Sequence, residues 1–460
     1  ATEALSSARR AVAQCEVENA PVSLRRQALV ALAQALDTVG DPGTAKQMLV
    51  DALHQDPWCA ESLAALADLH LRTGAPNAAR TCIDAIKPLQ PLLAAAVAMR
   101  MRSFPKAHAD LMRLEAWARQ PDECAQIRSD LMFGLAAAWE AQEDYSRAFS
   151  IAVRANGAIR ANLSFDPELQ RQRHQRMVTV FNSPKTLPPA NTSLTPIFVV
   201  GMPGAGVSWM TRMLAAHPSV ARDSSTSSLS AAIDKFRSGD AAETAAESGA
   251  RSRARRYPEG LNSLQKQPTL DLRADLLARW RAVAGDKRYL VDGTPLHYEN
   301  IGLIQMLFPK AKIIVMQRDP RAITLANFLS DYPNRHGPMA FAYDLRWIGA
   351  HIAHHLQLME HWQGLYGKAL LTIDTDRLTR HQRGELDRAL AYVGLSFSSE
   401  CEREGMTEAT AQTHGGSGYW RGDWKHYQTY LAPLYAEAWD RRWALTNPDA
   451  SSDSRFQEQG

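Results

Sequence analysis

Apolar positions in the first part of the chain recur at i, i+3, i+4 and i+7, the spacing of one face of an α-helix. "LVALAQALDTVGDPGTAKQMLVDALHQDP" is representative: two amphipathic segments separated by a Gly- and Pro-containing turn. From Pro196 the pattern changes. Short apolar runs at Pro196–Val200, Arg288–Val291, Lys312–Met316 and Ala369–Ile373 alternate with longer amphipathic stretches. Those stretches are Trp209–Ala216, Tyr298–Phe308, Met339–Gly364 and Gly384–Val393. The alternation predicts an α/β domain with a mainly parallel sheet. Between the two regions lies "NSPKTLPPANTSLTP", Asn182 to Pro196, which has four prolines and no periodicity and reads as a linker. After Leu445, "TNPDASSDSRFQEQG" reads as a polar, disordered tail.

The helical region resembles itself. Aligning "LVALAQALDTVGDPGTAKQMLVDALHQDP" with "LAALADLHLRTGAPNAARTCIDAIKPLQP" sets Gly40 over Gly74, Ala45 over Ala79 and Asp56-Pro57 over Gln90-Pro91, each at an offset of 34 residues. That is the period of a helix-turn-helix tetratricopeptide repeat. A further echo, "LAAAWEAQEDYSRAFSIAV", puts Ala148 69 residues past Ala79, while the copy around Ser103 to Trp117 is irregular. The expected organisation is a repeat domain over 1–181, a linker over 182–196, an α/β domain over 197–445 and a tail over 446–460. A single repeat cannot bury its apolar face alone, so repeats stack into a solenoid with a concave surface. Such a surface takes a peptide, a partner protein (an active paralogue among them) or a second copy of the chain.

Composition narrows this picture only a little. The chain has 460 residues, 45% hydrophobic and 22% charged, as in an ordinary globular protein of two or three domains. A net charge of +3 argues against nucleic acid as a partner. The cysteines are Cys15, Cys59, Cys82, Cys124 and Cys401, odd in number and without a CxxC pair. This favours a reducing, cytoplasmic compartment over a disulfide framework or zinc site. No apolar run reaches the ~18 residues of a membrane span.

The candidate chemistry begins at "IFVVGMPGAGVSWM", Ile197 to Met210: an apolar strand, a Gly- and Pro-rich turn and a helix start. The spacing is G-x-x-x-x-G-V-S, with Val207 where a nucleotide-hydrolysing P-loop has lysine. Backbone N–H groups of the turn and the helix N-terminus can still receive an anion, and Ser208 adds a hydroxyl. A second turn at a strand end carries Arg318 to Arg321.

Several ordered stretches together resemble the bacterial sulfotransferases that carry an N-terminal tetratricopeptide domain. "IFVVGMPGAGVSWMTRMLAAHPSV" is similar to the family's 5′-phosphosulfate loop, with His217-Pro218 after the helix. "YLVDGTPLHYENIGLIQMLFPKAKIIVMQRDPRAITLANF" is similar to its second strand, crossover helix and 3′-phosphate motif. "TEATAQTHGGSGYWRGDWKHYQTYLAPL" is similar to its C-terminal Gly-x-Trp-x-x-Tyr segment, and "AAAWEAQEDYSRAFSIAVRANGAIRANLSFDP" to the bridge between its domains. The resemblance implies a helical tetratricopeptide-like solenoid followed by a P-loop-like α/β sulfotransferase domain. It also implies transfer of a sulfuryl group from 3′-phosphoadenosine 5′-phosphosulfate (PAPS) to a hydroxyl or amine, without a metal. The donor would meet Gly201, Pro203, Gly204, Ala205, Gly206, Val207, Ser208, Arg318, Ala326, Arg421, Gly422 and Trp424.

The chain departs from the family pattern where side chains face the donor. Gly204 stands for the loop arginine, Ala205 for a serine, Val207 for the first threonine, Gly293 for a lysine and Ala326 for a serine. The family's acidic base aligns near Ser225, and Asp223 is the nearest carboxylate. Removing one transition-state donor lowers a rate by roughly 10²–10³. The expected function is therefore a catalytically impaired sulfotransferase-like protein that recruits a peptide or protein through its repeats, with weakened binding of PAPS or its product PAP. The alternative is an active enzyme on a peptide or protein hydroxyl, with Asp223 as base and Arg222 or the run "RSRARR" (Arg251 to Arg256) supplying the cation. The stretch from Arg222 to Ser263 reads as an insert or lid. "GAHIAHHLQLMEHW" carries His351, His355 and His361 and reads as a helix with histidines on its polar face.

Overall fold

A computed structural model of the chain describes residues 2–38, 41–119, 125–223, 228–233, 257–258, 266–332, 337–413 and 424–431. The expected tail, the basic run Arg251–Arg256 and most of the expected insert lie outside them. The described residues form two units, one reaching to Ile159 and one beginning at Arg160.

In the first unit every element is a helix: α1 (Thr2–Val17), α2 (Val22–Thr38), α3 (Pro42–Gln55), α4 (Ala60–Arg72), α5 (Pro76–Ile86), α6 (Pro91–Arg100), α7 (His108–Ala118), α8 (Ala125–Ala141) and α9 (Tyr145–Arg160). Helix α2 packs on α3, and α4 on α5. Proline begins α3, α5 and α6, where its missing N–H breaks no helical bond. The alanines aligned by the repeat, Ala45, Ala79 and Ala148, are all fully buried, so each lets its helix approach a neighbour closely. Gly74 turns the chain with φ +77°, a conformation that glycine adopts without penalty.

The second unit begins ahead of α10 (Pro167–Val180), so that helix does not belong with the repeats before it. Asp166 caps α10 by accepting from the N–H of Glu168 at 2.8 Å. Then come β1 (Thr195–Gly201), α11 (Val207–Ala215), β2 (Val220–Arg222), α12 (Lys266–Ala284), β3 (Tyr289–Asp292), α13 (Ile301–Leu307) and β4 (Lys312–Gln317). The unit continues with α14 (Pro320–Phe328), α15 (Leu345–Tyr366), β5 (Leu370–Asp374), α16 (Thr375–Arg380), α17 (Gln382–Val393) and α18 (Ser399–Thr413). Residues 182–194 carry no helix or strand, but they run along this unit: Leu187 donates to the carbonyl of Met306 at 2.9 Å.

The five strands are parallel in the order β2-β3-β1-β4-β5. Ile197–Val200 of β1 and Ile313–Met316 of β4 are buried throughout, as expected of strands covered on both faces. From β1 the chain moves to the β2 side, and from β4 to the β5 side. The direction reverses between β1 and β4, and such reversals place ligand crevices at the carboxyl ends of the strands. The Gly201–Ser208 turn and the Arg318 turn both end there, since Gly201 pairs with Met316 in register.

Helix α15 corrects the reading of its histidines. His351 and His355 are buried, not on a polar face. Helix α10 supplies the reason: it packs on α15 and brings His174 beside His351 and His354. His351 contacts the Tyr298 hydroxyl through Nε2 at 2.9 Å and the Gln170 amide through Nδ1, while Phe341 stacks on its ring. Glu299 lies in the same seam, paired with Arg173 at 3.0 Å and His174 at 3.2 Å. No group of three or more His, Cys, Asp or Glu side chains among the described residues could hold a metal.

Candidate functional site

The β1 turn is built around its glycines. Gly204 and Gly206 have φ +85° and +87°, a region costly to any residue with a β-carbon. A β-carbon on Gly201 would stand 2.5 Å from the Met316 carbonyl oxygen, so glycine is also what lets β1 leave the sheet beside β4. Gly206 hands over to α11, whose first residue, Val207, is buried, while Ser208 is exposed. The place of a P-loop lysine is thus part of the core.

Three side chains brace the turn from behind. Asn327 of α14 donates to the Pro203 carbonyl at 2.9 Å, Arg318 to the Gly204 carbonyl at 3.1 Å and Thr375 to the Ala205 carbonyl at 2.6 Å. Three consecutive carbonyls are drawn back by three different elements. In a planar trans peptide the next N–H points opposite to the carbonyl. The N–H groups of Gly204, Ala205 and Gly206 therefore face away from these braces. That of Ala205 bonds to the Met202 carbonyl at 3.0 Å, and that of Trp209 to the Gly206 carbonyl at 3.1 Å, while the N–H groups of Val207 and Ser208 open α11 with no acceptor within the helix. The positive side of the turn is held in place by hydrogen bonds rather than by a cation at position 207.

Arg318 is 4% exposed. Burial pulls its pKa down, against the raising influence of Asp376, Asp319 and Asp374. Its Nε lies 3.8 Å from Asp376. The guanidinium thus joins the turn to the carboxyl end of β5. Ala326 is buried behind Gly204, where a β-carbon on Gly204 would meet it at 2.7 Å. Gly293 is similarly closed: a β-carbon there would lie 2.1 Å from the Thr211 hydroxyl, which donates to the Val207 carbonyl. Trp424 lies over Arg321, 3.6 Å from ring centroid to guanidinium carbon, and Arg321 forks onto Asp319. Arg421 and Gly422 lie outside the described residues.

Asp223 follows β2 and is buried. Oδ2 accepts from the Ser228 N–H at 2.9 Å and the Trp280 indole at 3.2 Å, and Oδ1 accepts from the Ser228 hydroxyl at 2.9 Å. Nearby, at the end of β3, Asp292 lies 3.6 Å from His297 Nε2, and Ser230 Oγ lies 3.4 Å from the same nitrogen. Burial lowers the pKa of His297, opposed by Asp292, Asp223 and Glu299. Asn300 approaches Nδ1 at 3.2 Å. Sequence reasoning named Asp223, Arg318 and the turn. It missed Asn327, Thr375 and His297. Thr375 and His297 follow the ends of β5 and β3, and a list of residues just beyond each predicted strand would have contained both.

A parallel sheet with a glycine-rich turn braced at its switch point sets the class of this domain. Residues 196–399 match the sulfotransferase family model, and residues 38–102 match the tetratricopeptide repeat. The chain thus joins tetratricopeptide repeats to a sulfotransferase-family domain. It is 24% identical over 347 residues to an uncharacterized protein of Aquifex aeolicus (strain VF5), an alignment covering 73% of this chain and 44% of that one. The chain therefore spans less than half the length of that relative. Among solved structures it is similar to the sulfotransferase domain of the Synechococcus PCC 7002 olefin synthase, with 17% identity, TM-score 0.33, and coverage of 55% of this chain and 98% of that one. It is also similar to sulfotransferase STF9 from Mycobacterium avium, with 14% identity, TM-score 0.32, and coverage of 74% and 97%.

Proposed function

We propose that this is a sulfotransferase-like binding protein. Its α/β domain holds a nucleotide such as PAP at the β1 turn, with transfer chemistry strongly reduced, and its repeats recruit a peptide or protein. The observation that carries the reading is the state of Asp223. Three hydrogen bonds already occupy its buried carboxylate: the Ser228 N–H, the Ser228 hydroxyl and the Trp280 indole. Each atom it would offer to an acceptor hydroxyl already receives a donor. Val207 and Gly204 further remove the cation that would face a developing negative charge. Loss of donor and base together removes several powers of ten in rate. The braced carbonyls of Pro203, Gly204 and Ala205 support retention of anion binding without that cation. Buried, free Cys15, Cys59, Cys82 and Cys401 suit a reducing compartment such as the cytoplasm.

Calorimetric titration with PAP, paired with a transfer assay from PAPS, tests this. The expected result is PAP binding with no turnover above the uncatalysed background. Turnover at ordinary enzyme rates would overturn it. That result would favour the second reading, an active transferase in which Asp223 exchanges Ser228 for the acceptor. The position of Arg318 beside the turn is what supports that alternative.

A further inference from the structure

We infer that the first unit carries an anion-binding site for an acidic peptide segment, formed by Arg119, Arg147 and Arg154 around Glu115. The inference deepens the proposal that the repeats recruit a peptide and rests on it.

Glu115 lies on α7, and Arg119 follows one helical turn later. Arg147 and Arg154 stand two turns apart on one face of α9. All three guanidinium groups converge on the single carboxylate, at 2.6, 3.0 and 2.9 Å. The carboxylate is only 5% exposed, while Arg119, Arg147 and Arg154 are 62%, 28% and 38% exposed. The negative charge is therefore inside and the positive charges outside. Counting these four groups alone leaves two uncompensated positive charges in one patch.

The guanidinium groups are also underused. Each carries five N–H donors, and each spends one on Glu115. The Nε of Arg154 is buried and has no hydrogen-bond partner among the described residues. Arg147 is held in plane by Trp139, 4.4 Å from its guanidinium carbon to the ring centroid. Fixed, planar and crowded guanidinium groups are the arrangement that takes carboxylates in a two-point fork. Clusters of this kind recognise acidic motifs. A purely structural role for the trio, holding α7 to α9, needs only one arginine to neutralise Glu115. The other two are what an incoming pair of carboxylates would pair with.

A fluorescent hexaglutamate peptide, with hexaglutamine as control, tests the site on the full chain by anisotropy at low and physiological salt. Hexaglutamate is expected to bind and hexaglutamine not to. The R119Q/R154Q double variant should weaken binding by about tenfold or more, the scale of one lost charge-assisted pair. R119Q alone changes the most exposed side chain and should fold normally while weakening binding in the same direction. E115Q should tighten binding, because it removes the competing carboxylate; a merely structural trio would give no such gain. Two results would overturn the inference. Absence of hexaglutamate binding would do so, and so would binding that R119Q/R154Q leave unchanged, a result that would spare peptide recruitment elsewhere on the repeats. PAP titration of the same variants reports on the α/β domain separately.

Discussion

Gly204 and Ala326 close on each other: a β-carbon on the glycine would stand 2.7 Å from that of the alanine. By resemblance these are the places of a donor-facing arginine and serine. The two small residues are packed directly against each other, α14 against the turn, so the two positions act together. Restoring one partner alone should fail. G204R would put a side chain at φ +85° and into the buried α14, where strain of about 1–2 kcal/mol adds to overpacking of about 1–3 kcal/mol. The expected outcome is a lower melting temperature and weaker, not stronger, PAP binding.

The bracing of the turn makes a separate prediction. T375V removes the donor to the Ala205 carbonyl and leaves that oxygen unsatisfied in a buried setting, at about 1–3 kcal/mol. N327A does the same at the Pro203 carbonyl. Each should weaken PAP by about tenfold, because the neighbouring N–H groups lose their fixed direction. T375S keeps the hydroxyl and should bind as the parent does. Equal affinities for T375V and T375S would show that the brace does not set the turn.

Much of this was legible in the sequence, and the failures share a cause. The apolar runs of β1, β3 and β4 announce themselves because strands buried on both faces need continuous apolar residues, and edge strand β5, only partly buried, still carries Leu370, Leu371 and Ile373. Strand β2 is only Val220–Arg222, too short for any pattern. The 34-residue offset placed Ala45 and Ala79 correctly, since helix contact is local within a repeat. Non-local partners were invisible. Nothing near His351 in sequence hints at Gln170 or Tyr298, and nothing near Asp223 hints at Trp280. The residues that decide whether a polar group is available were distant in the chain.

Asp223 can be tested as a structural acid. D223N places an amide N–H₂ where an oxygen now faces the Trp280 indole and Ser228, or the Ser228 hydroxyl, and so sets donor against donor. The expected loss is about 1–3 kcal/mol in urea unfolding, with PAP affinity unchanged. Unaltered stability together with abolished transfer would instead mark Asp223 as a base.

The seam between α10 and α15 should make the second unit acid-sensitive well above the range where most carboxylates protonate. Burial, with His174 adding to it, pushes His355 down to about 3 from 6.5, and burial also lowers half-buried His354 to about 4. His351 is moved down as well, by burial and then by His174. The unfolded chain therefore binds protons near pH 6.5 that the folded seam refuses until far lower pH. Stability is fully present above about pH 6.5 and falls as pH drops toward 3, by at most ~1.4 kcal/mol per pH unit for each fully excluded proton. Glu299 adds to the loss lower down. Burial would raise it, but Arg173 and His174 outweigh that and hold it to about 2, so its contribution disappears between 4.5 and 2. His355 Nδ1 has no hydrogen-bond partner among the described residues, and its ring meets Tyr298 edge to face at 4.3 Å. H355F keeps that aromatic contact and removes one titrating group. Its melting temperature should fall less than that of the parent between pH 7 and pH 5, and an identical fall in the two proteins would mean that His355 is not excluded from protonation.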